Sequence, residues 1–198
     1  MKLSIIMPVY NERHTIKESV EQVIEVPLNM DKELIVVDDG STDGTREILS
    51  QIAQNHNNVL QLILQDSNRG KGAAVRTGIV KATGDFIVIQ DADMEYDPKD
   101  YSILLGPILA GKADVVYGSR FIGIHRCLMF WHYLGNKIIS GLVNVLFNNM
   151  LSDVETCYKM FKADIIIIVT PHQKYSTLKF KEHNRVFDIW NISQRDAS

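Results

Sequence analysis

Two aspartates one residue apart, Asp91 and Asp93, follow the apolar run Phe86–Ile89, which needs no charge for packing. Paired carboxylates just past a strand end can hold a hard divalent cation such as Mg²⁺ or Mn²⁺, whose remaining ligands are phosphate oxygens and water. Glu95, two residues further, could add another oxygen. By itself the tripeptide also reads as an ordinary acidic loop before the helix start at Asp97-Pro98. A longer motif, Asp38-Asp39-Gly-Ser-Thr-Asp-Gly-Thr45, places two more carboxylates after an apolar run. Gly40 permits a tight turn and Ser41 to Asp43 can cap the next helix, but capping does not require paired aspartates. Carboxylates there can accept hydrogen bonds from a nucleobase imide or a ribose hydroxyl. In Pro8-Val-Tyr10-Asn-Glu12 the Tyr10 ring can flank a base and Glu12 can accept from base or sugar, while Asn11 also suits a plain turn. Arg69-Gly-Lys71-Gly72 offers two cations at a helix start, which suits an anion as well as it suits a glycine turn.

Such residues need elements to position them. Leu3–Met7, Glu33–Val37, Val59–Leu64, Phe86–Ile89 and Asp114–Tyr117 read as short strands. Between them, Ile16, Val20, Val23 and Ile24 mark one helix, with Thr15 and Glu18 as a capping box. Ile48, Leu49, Ile52 and Ala53 mark a second helix, and 73–82 a third. This alternation predicts βαβ units and a mostly parallel sheet flanked by helices, whose ligands sit at the carboxyl ends of the strands. The motifs above all fall at those ends. The dinucleotide fingerprint is excluded, because Val75 stands where its third Gly would be, and no phosphate-binding loop of the G-x-x-x-x-G-K-[ST] kind occurs.

Composition narrows the class. The chain has 198 residues and a net charge of −3, which argues against a nucleic-acid-binding face. Two cysteines, Cys127 and Cys157, make neither a disulfide framework nor a zinc site. No basic leader or spanning apolar run is visible, so the expected location is cytoplasmic. Residues 1–120 carry −6 and residues 121–198 carry +3, and 121–152 lack acids altogether. That segment, with Trp131, Tyr133 and many aliphatic residues, reads either as a core helix over the sheet or as a helix lying in a membrane interface.

In order, PVYNE, VVDDGSTDGT, NRGKGAAVRTG, ATGDFIVIQDAD and YGSR resemble a family 2 glycosyltransferase, most closely the branch that transfers a sugar to dolichyl or another polyprenyl phosphate. Gly118–Phe121, Phe130–His132 and Asp153–Lys159 extend the likeness to about residue 163. The resemblance implies the A-type, Rossmann-like nucleotide-sugar fold with a short helical acceptor or membrane-facing region. It divides the chain into a catalytic domain over 1–163, with a nucleotide-sugar half (1–120) and an acceptor half (121–163), and a divergent tail over 164–198. Carried over residue by residue, it gives Pro8, Tyr10, Glu12, Val37 and Asp39 to the nucleotide, and Asp91, Ala92 and Asp93 to the metal–diphosphate site. Glu95 falls where some members have a third metal ligand, and Arg120 faces the diphosphate or the acceptor phosphate. Arg126 and His132 are candidates for the acceptor phosphate, and Asp153 falls near sugar or acceptor. The implied reaction is inverting hexose transfer from a donor of the UDP-glucose or GDP-mannose type to polyprenyl phosphate at a membrane surface, with Mg²⁺ or Mn²⁺. Transfer to a saccharide, for which Asp153 would be the base, and a donor-binding module without turnover are the alternatives. The tail, with Ile165–Val169 as a strand and Arg185-Val-Phe187-Asp188 as an echo of a family arginine–aromatic–acid segment, is where the likeness fades.

Overall fold

The computed structural model describes residues 1–119, 130–147, 150, 152–153, 156, 158–168 and 185–188; side chains at 130–132, 147, 165–168 and 185–188 are outside the description. Strands β1 (Lys2–Val9), β2 (Asp31–Asp38), β3 (Leu60–Leu64) and β4 (Phe86–Ile89) alternate with helices α1 (Ile16–Glu25), α2 (Thr45–Asn55) and α3 (Lys71–Lys81). A 3₁₀ turn (Pro98–Asp100) leads into α4 (Tyr101–Leu109), followed by β5 (Val115–Tyr117), α5 (Phe130–Phe147) and β6 (Lys159–Lys162). The sheet has six strands in the order β3-β2-β1-β4-β6-β5. β1 to β4 are mutually parallel, whereas β6 runs antiparallel to both neighbours.

The core follows from composition. Leu3, Ile5, Met7 and Val9 of β1, Leu34 and Val36 of β2 and Val88 of β4 are buried with Ile16, Val20 and Val23 of α1. On the opposite face, Ile35 and Val37 of β2 pack against Ala74 of α3. There the helix must come close: a Cβ at Gly78 would stand 2.4 Å from Ile6 Cγ2. Central strands buried on both sides read as continuous apolar runs, which is why the βα alternation was visible in the sequence.

Three local readings change. Thr15 does not form a capping box with Glu18; its hydroxyl donates to Glu12 Oε2 at 2.8 Å, and α1 begins without a side-chain cap. α2 starts from Gly44 at φ +100. Asp43 Oδ1 accepts from Thr45 N at 3.1 Å, while Ser41 turns away to the β1–α1 loop. The 158–162 stretch, to which no strand is assigned above, contains strand β6 between β4 and β5. Its buried Tyr158 and Met160 alternate with half-buried Lys159 and Phe161. Asp97 does cap as expected, accepting from Lys99 N at 3.0 Å with Pro98 at the first position.

α5 is polar inside and apolar outside. Asn136 and Ser140, one turn apart, are buried: Asn136 Nδ2 donates to Asp153 Oδ1 at 2.8 Å and Ser140 Oγ to Asn136 Oδ1 at 3.0 Å. Leu134, Ile138, Leu142, Val145 and Leu146 are exposed, Val145 by 82%. The core-helix reading therefore fails for these five aliphatic residues. No helix among the described residues is long and apolar enough to cross a membrane. β7 (Ile165–Ile168) pairs in parallel with β8 (Arg185–Asp188) in a separate two-stranded sheet, so the isoleucine run and the arginine–aromatic–acid echo are neighbours.

At the amino ends of the strands, away from the motifs, Glu33 ties the sheet together. It accepts from Lys2 Nζ (2.7 Å), Ser4 Oγ (2.5 Å) and Thr83 N (2.7 Å). Burial pushes its carboxyl up, but the Lys2, Ser4 and Thr83 donors together outweigh that and hold it at about 2. A carboxyl held below its unfolded value contributes stability that is complete above pH 4.5 and lost as pH falls from there towards 2. Glu33→Gln is expected to remove about 2 kcal/mol at pH 7 and to flatten the acid limb of the stability profile. Urea unfolding at a series of pH values checks this, and an unchanged acid limb in the variant would refute it.

Candidate functional site

The parallel order β3-β2-β1-β4 contains a switch point: the chain builds outwards from β1 to β3, then returns to add β4 on the other side. Loops leaving β1 and β4 therefore diverge and open a crevice at the carboxyl ends. A cleft of about 280 Å³ lies there, lined by Pro8, Val9, Tyr10, Glu12, Asp39, Asn68, Gly70, Lys71, Ala74, Asp91, Ala92 and Asp93. Pro8, Tyr10, Glu12, Asp39, Asp91, Ala92 and Asp93, expected from three separate stretches of sequence to meet a donor, thus share one space. Val37 is elsewhere, fully buried in the core beside Ala74, one layer beneath the cleft. Glu95 is outside the lining. Arg120, Arg126 and Cys157 fall outside the described residues, as does the side chain of His132.

Backbone donors explain much of the two amino-terminal motifs. Asn11 N donates to Ser41 Oγ (2.9 Å), Glu12 N to Thr45 Oγ1 (3.0 Å), Arg13 N to Asp43 Oδ2 (3.1 Å), and Thr42 N to Asn11 Oδ1 (2.9 Å). Asn11 itself sits at φ +56, a conformation asparagine tolerates. The hydroxyls and Asp43 thus staple the β1–α1 loop to the β2–α2 loop, holding Tyr10 and Glu12 at the rim.

The aspartate pair divides its labour. Asp38 is fully buried, and its Oδ2 accepts from Gly40 N, Ser41 N and Arg46 Nε, the last at 2.8 Å. Arg46 also reaches the carbonyl of Gln65, bracing β2 against β3. Asp39 faces the cleft and accepts from Arg69 N (2.9 Å) and Gly70 N (2.8 Å). Of the two cations in the glycine stretch, Lys71 lines the cleft, whereas Arg69 contributes its backbone amide to Asp39.

The Asp91–Asp93 loop is fixed by its carbonyls. Buried Gln90 donates to Asp91 O (3.1 Å) and Tyr96 O (3.3 Å), oriented by the Tyr101 hydroxyl, which donates to its Oε1 at 2.8 Å. From α1, Ser19 Oγ donates to Ala92 O at 2.7 Å. Tyr96, Tyr101 and Tyr158 stack beneath, with Tyr158 OH donating to Asp97 O at 2.8 Å. Burial, then the charge of Asp97, pushes the Tyr101 phenol up, so it remains a donor. Ser19, Gln90 and Tyr101 escaped the sequence reading, since a single polar residue whose burial depends on a partner elsewhere in the chain leaves no periodic signal.

The expected three-carboxylate metal site is not assembled. Asp93 Oδ1 accepts from Glu95 N at 3.0 Å across Met94, which is held at φ +63. Lys71 Nζ stands on Asp91, and among the described residues no three His, Cys, Asp or Glu side chains group to hold a metal. Two oxygen-only carboxylates facing an open cleft do suit a Mg²⁺ or Mn²⁺ that takes its other ligands from phosphate and water.

Sheet order, crevice and acidic loop together define an A-type glycosyltransferase fold. The family model described as Glycosyl transferase family 2 matches residues 4–170, and the chain belongs to that family. Among curated proteins it is 29% identical over 167 residues to an undecaprenyl-phosphate 4-deoxy-4-formamido-L-arabinose transferase of Photorhabdus laumondii, covering 83% of this chain and 50% of that one. It is 32% identical over 122 residues to a dolichol-phosphate mannosyltransferase of Pyrococcus furiosus, covering 62% and 34%. The chain thus spans about half or less of the length of these relatives. Glucosyl-3-phosphoglycerate synthase of Mycobacterium tuberculosis, solved with Mn²⁺, UDP and phosphoglyceric acid, shares the fold at a TM-score of 0.64 and 21% identity, covering 82% of this chain and 56% of that one.

Proposed function

We propose that the protein transfers a hexose, with inversion, from a nucleoside-diphosphate sugar to a polyprenyl phosphate presented at a membrane surface. The observation that carries this reading is the single cleft shared by Pro8, Tyr10, Glu12 and Asp39 on one side and Asp91, Ala92 and Asp93 on the other. Tyr10 and Pro8 flank the base, and Glu12 and Asp39 accept from base or ribose. Asp91 and Asp93 would hold a Mg²⁺ or Mn²⁺, which supplies positive charge to the departing diphosphate. Arg120 assists at the diphosphate or acceptor phosphate, with Arg126 and His132 on the acceptor side. The catalytic domain runs over 1–163, and 164–198 forms a divergent tail.

A phosphate acceptor is already largely anionic near neutrality, its second pKa being about 6, so the site has to position it rather than deprotonate it. The burial of Asp153 against Asn136 favours this acceptor over a saccharide hydroxyl, since a saccharide requires a base in the cleft and Asp153 is 1% exposed. The outward aliphatic face of α5, with Lys137 beside Tyr133 on the same helix, suits a lipid interface.

The test is turnover of radiolabelled UDP-glucose and GDP-mannose with polyprenyl phosphate in lipid vesicles, with Mg²⁺ or Mn²⁺ and with EDTA. A lipid-linked product is expected that EDTA abolishes and that falls by about 100-fold or more in Asp93→Ala. Product that survives EDTA, or sugar moved only to a saccharide, would reject the proposal.

A further inference from the structure

The Lys71 ammonium lies 2.6 Å from Asp91 Oδ1 and 2.7 Å from Oδ2, so it caps both oxygens of a carboxylate that the donor reading gives to a divalent cation. Asp91 is 13% exposed and Lys71 48%, which puts the lysine on the open side of the pair. Both residues line the cleft. An ammonium and a divalent cation cannot share those oxygens at these distances without strong repulsion. Lys71 is flanked by Gly70, at φ +89, and Gly72, and a Cβ at either glycine would meet nothing within 4 Å, so the chain on both sides of it borders open space. A nucleoside diphosphate entering the cleft brings anionic oxygens, to which a cation in the first turn of a helix is suited.

We propose that Lys71 is a displaceable counter-ion. It closes Asp91 while the cleft is empty and passes to the donor's diphosphate when a divalent cation takes the carboxylate. This rests on the donor–metal reading of the cleft. It makes the empty protein a poor binder of bare metal and couples metal binding to nucleotide binding, because the nucleotide offers the ammonium a second anion.

The experiment uses two binding measurements and no turnover. Mn²⁺ by itself is titrated into wild type and Lys71→Met, with free Mn²⁺ read by electron paramagnetic resonance. UDP and GDP are then titrated by calorimetry at saturating Mn²⁺. Lys71→Met should bind bare Mn²⁺ about fivefold more tightly and the Mn²⁺–nucleotide about tenfold more weakly, so the two effects have opposite sign. Lys81→Met, which removes an exposed charge at the far end of α3, should change neither by more than about twofold. Bare-Mn²⁺ affinity that is unchanged or weaker in Lys71→Met overturns the proposal. If both affinities weaken together, Lys71 only shapes the cleft, and the donor reading survives without this role. Wild type that binds neither nucleotide with Mn²⁺ defeats the donor reading and this proposal together.

Discussion

Asp38→Ala is expected to lower stability by about 3 kcal/mol, enough to bring the thermal midpoint down by roughly 10 °C in a domain of this size. The carboxylate is fully buried, and its Oδ2 is shared by Gly40 N, Ser41 N and the Arg46 guanidinium. Alanine leaves two turn amides without their acceptor. It also strands Arg46, which is 32% exposed and still tied to the Gln65 carbonyl. Removing one member of a buried ion pair costs more than the pair itself contributes, because the remaining charge is left desolvated. Asp38→Asn keeps an oxygen for the turn amides and loses only the charge opposite Arg46, so it should cost less than half as much. Denaturant unfolding of the three proteins measures both differences. An alanine variant within 0.5 kcal/mol of wild type, roughly the effect of an ordinary surface substitution, would show that the brace contributes nothing.

Gly40→Ala should be the more damaging change to the cleft. Gly40 sits at φ +77, where an L-residue costs about 1–2 kcal/mol. Its added Cβ would also stand 2.7 Å from Asn68 N and Ser67 C, backbone atoms that cannot rotate away. Relief requires the β2–α2 turn and the β3–α3 loop to part. That movement loosens the Arg69 and Gly70 amides from Asp39 and shifts Asn68, Gly70 and Lys71 on the cleft wall. The expected loss is about 3 kcal/mol of stability, with nucleotide affinity down by tenfold or more at temperatures where the variant is still folded. Gly111→Ala is the control, since Gly111 has φ +68 but nothing within 4 Å of the added Cβ. It should cost only the backbone component, about 1 kcal/mol, and leave nucleotide binding intact. Equal losses in the two variants, or unaltered nucleotide affinity in Gly40→Ala, would rule out the contact between the loops as the cause.

The residues that line the cleft were largely legible in the sequence, because they stand in short runs at strand ends. Tyr10, Glu12, Asp39, Asp91 and Asp93 stand out in such runs by residue type, Pro8 and Ala92 follow from the family resemblance, and all seven line one space. The parts that hold the cleft in shape were less legible. Ser19 reaches Ala92 across 73 positions and Tyr101 reaches Gln90 across 11, and neither contact is marked by any local pattern. The staple between Asn11 and Ser41 was likewise hidden behind a plausible capping role for Ser41.

Sequence by itself determined the βα alternation, the placing of the acidic motifs at carboxyl strand ends and the family likeness. Each of these is carried by hydrophobic period or local residue order, which neighbouring residues express without help from the rest of the chain. Tertiary structure decided which aspartate of the pair is a brace and which lines the cleft. It also decided that an antiparallel β6 enters between β4 and β5, that α5 turns its aliphatic face outward, and that Lys71 caps Asp91. Those outcomes depend on which partner each polar or apolar group meets across the fold. Adjacent Asp38 and Asp39 are chemically identical in the sequence, and only burial against Arg46 on one side and an open cleft on the other makes them different.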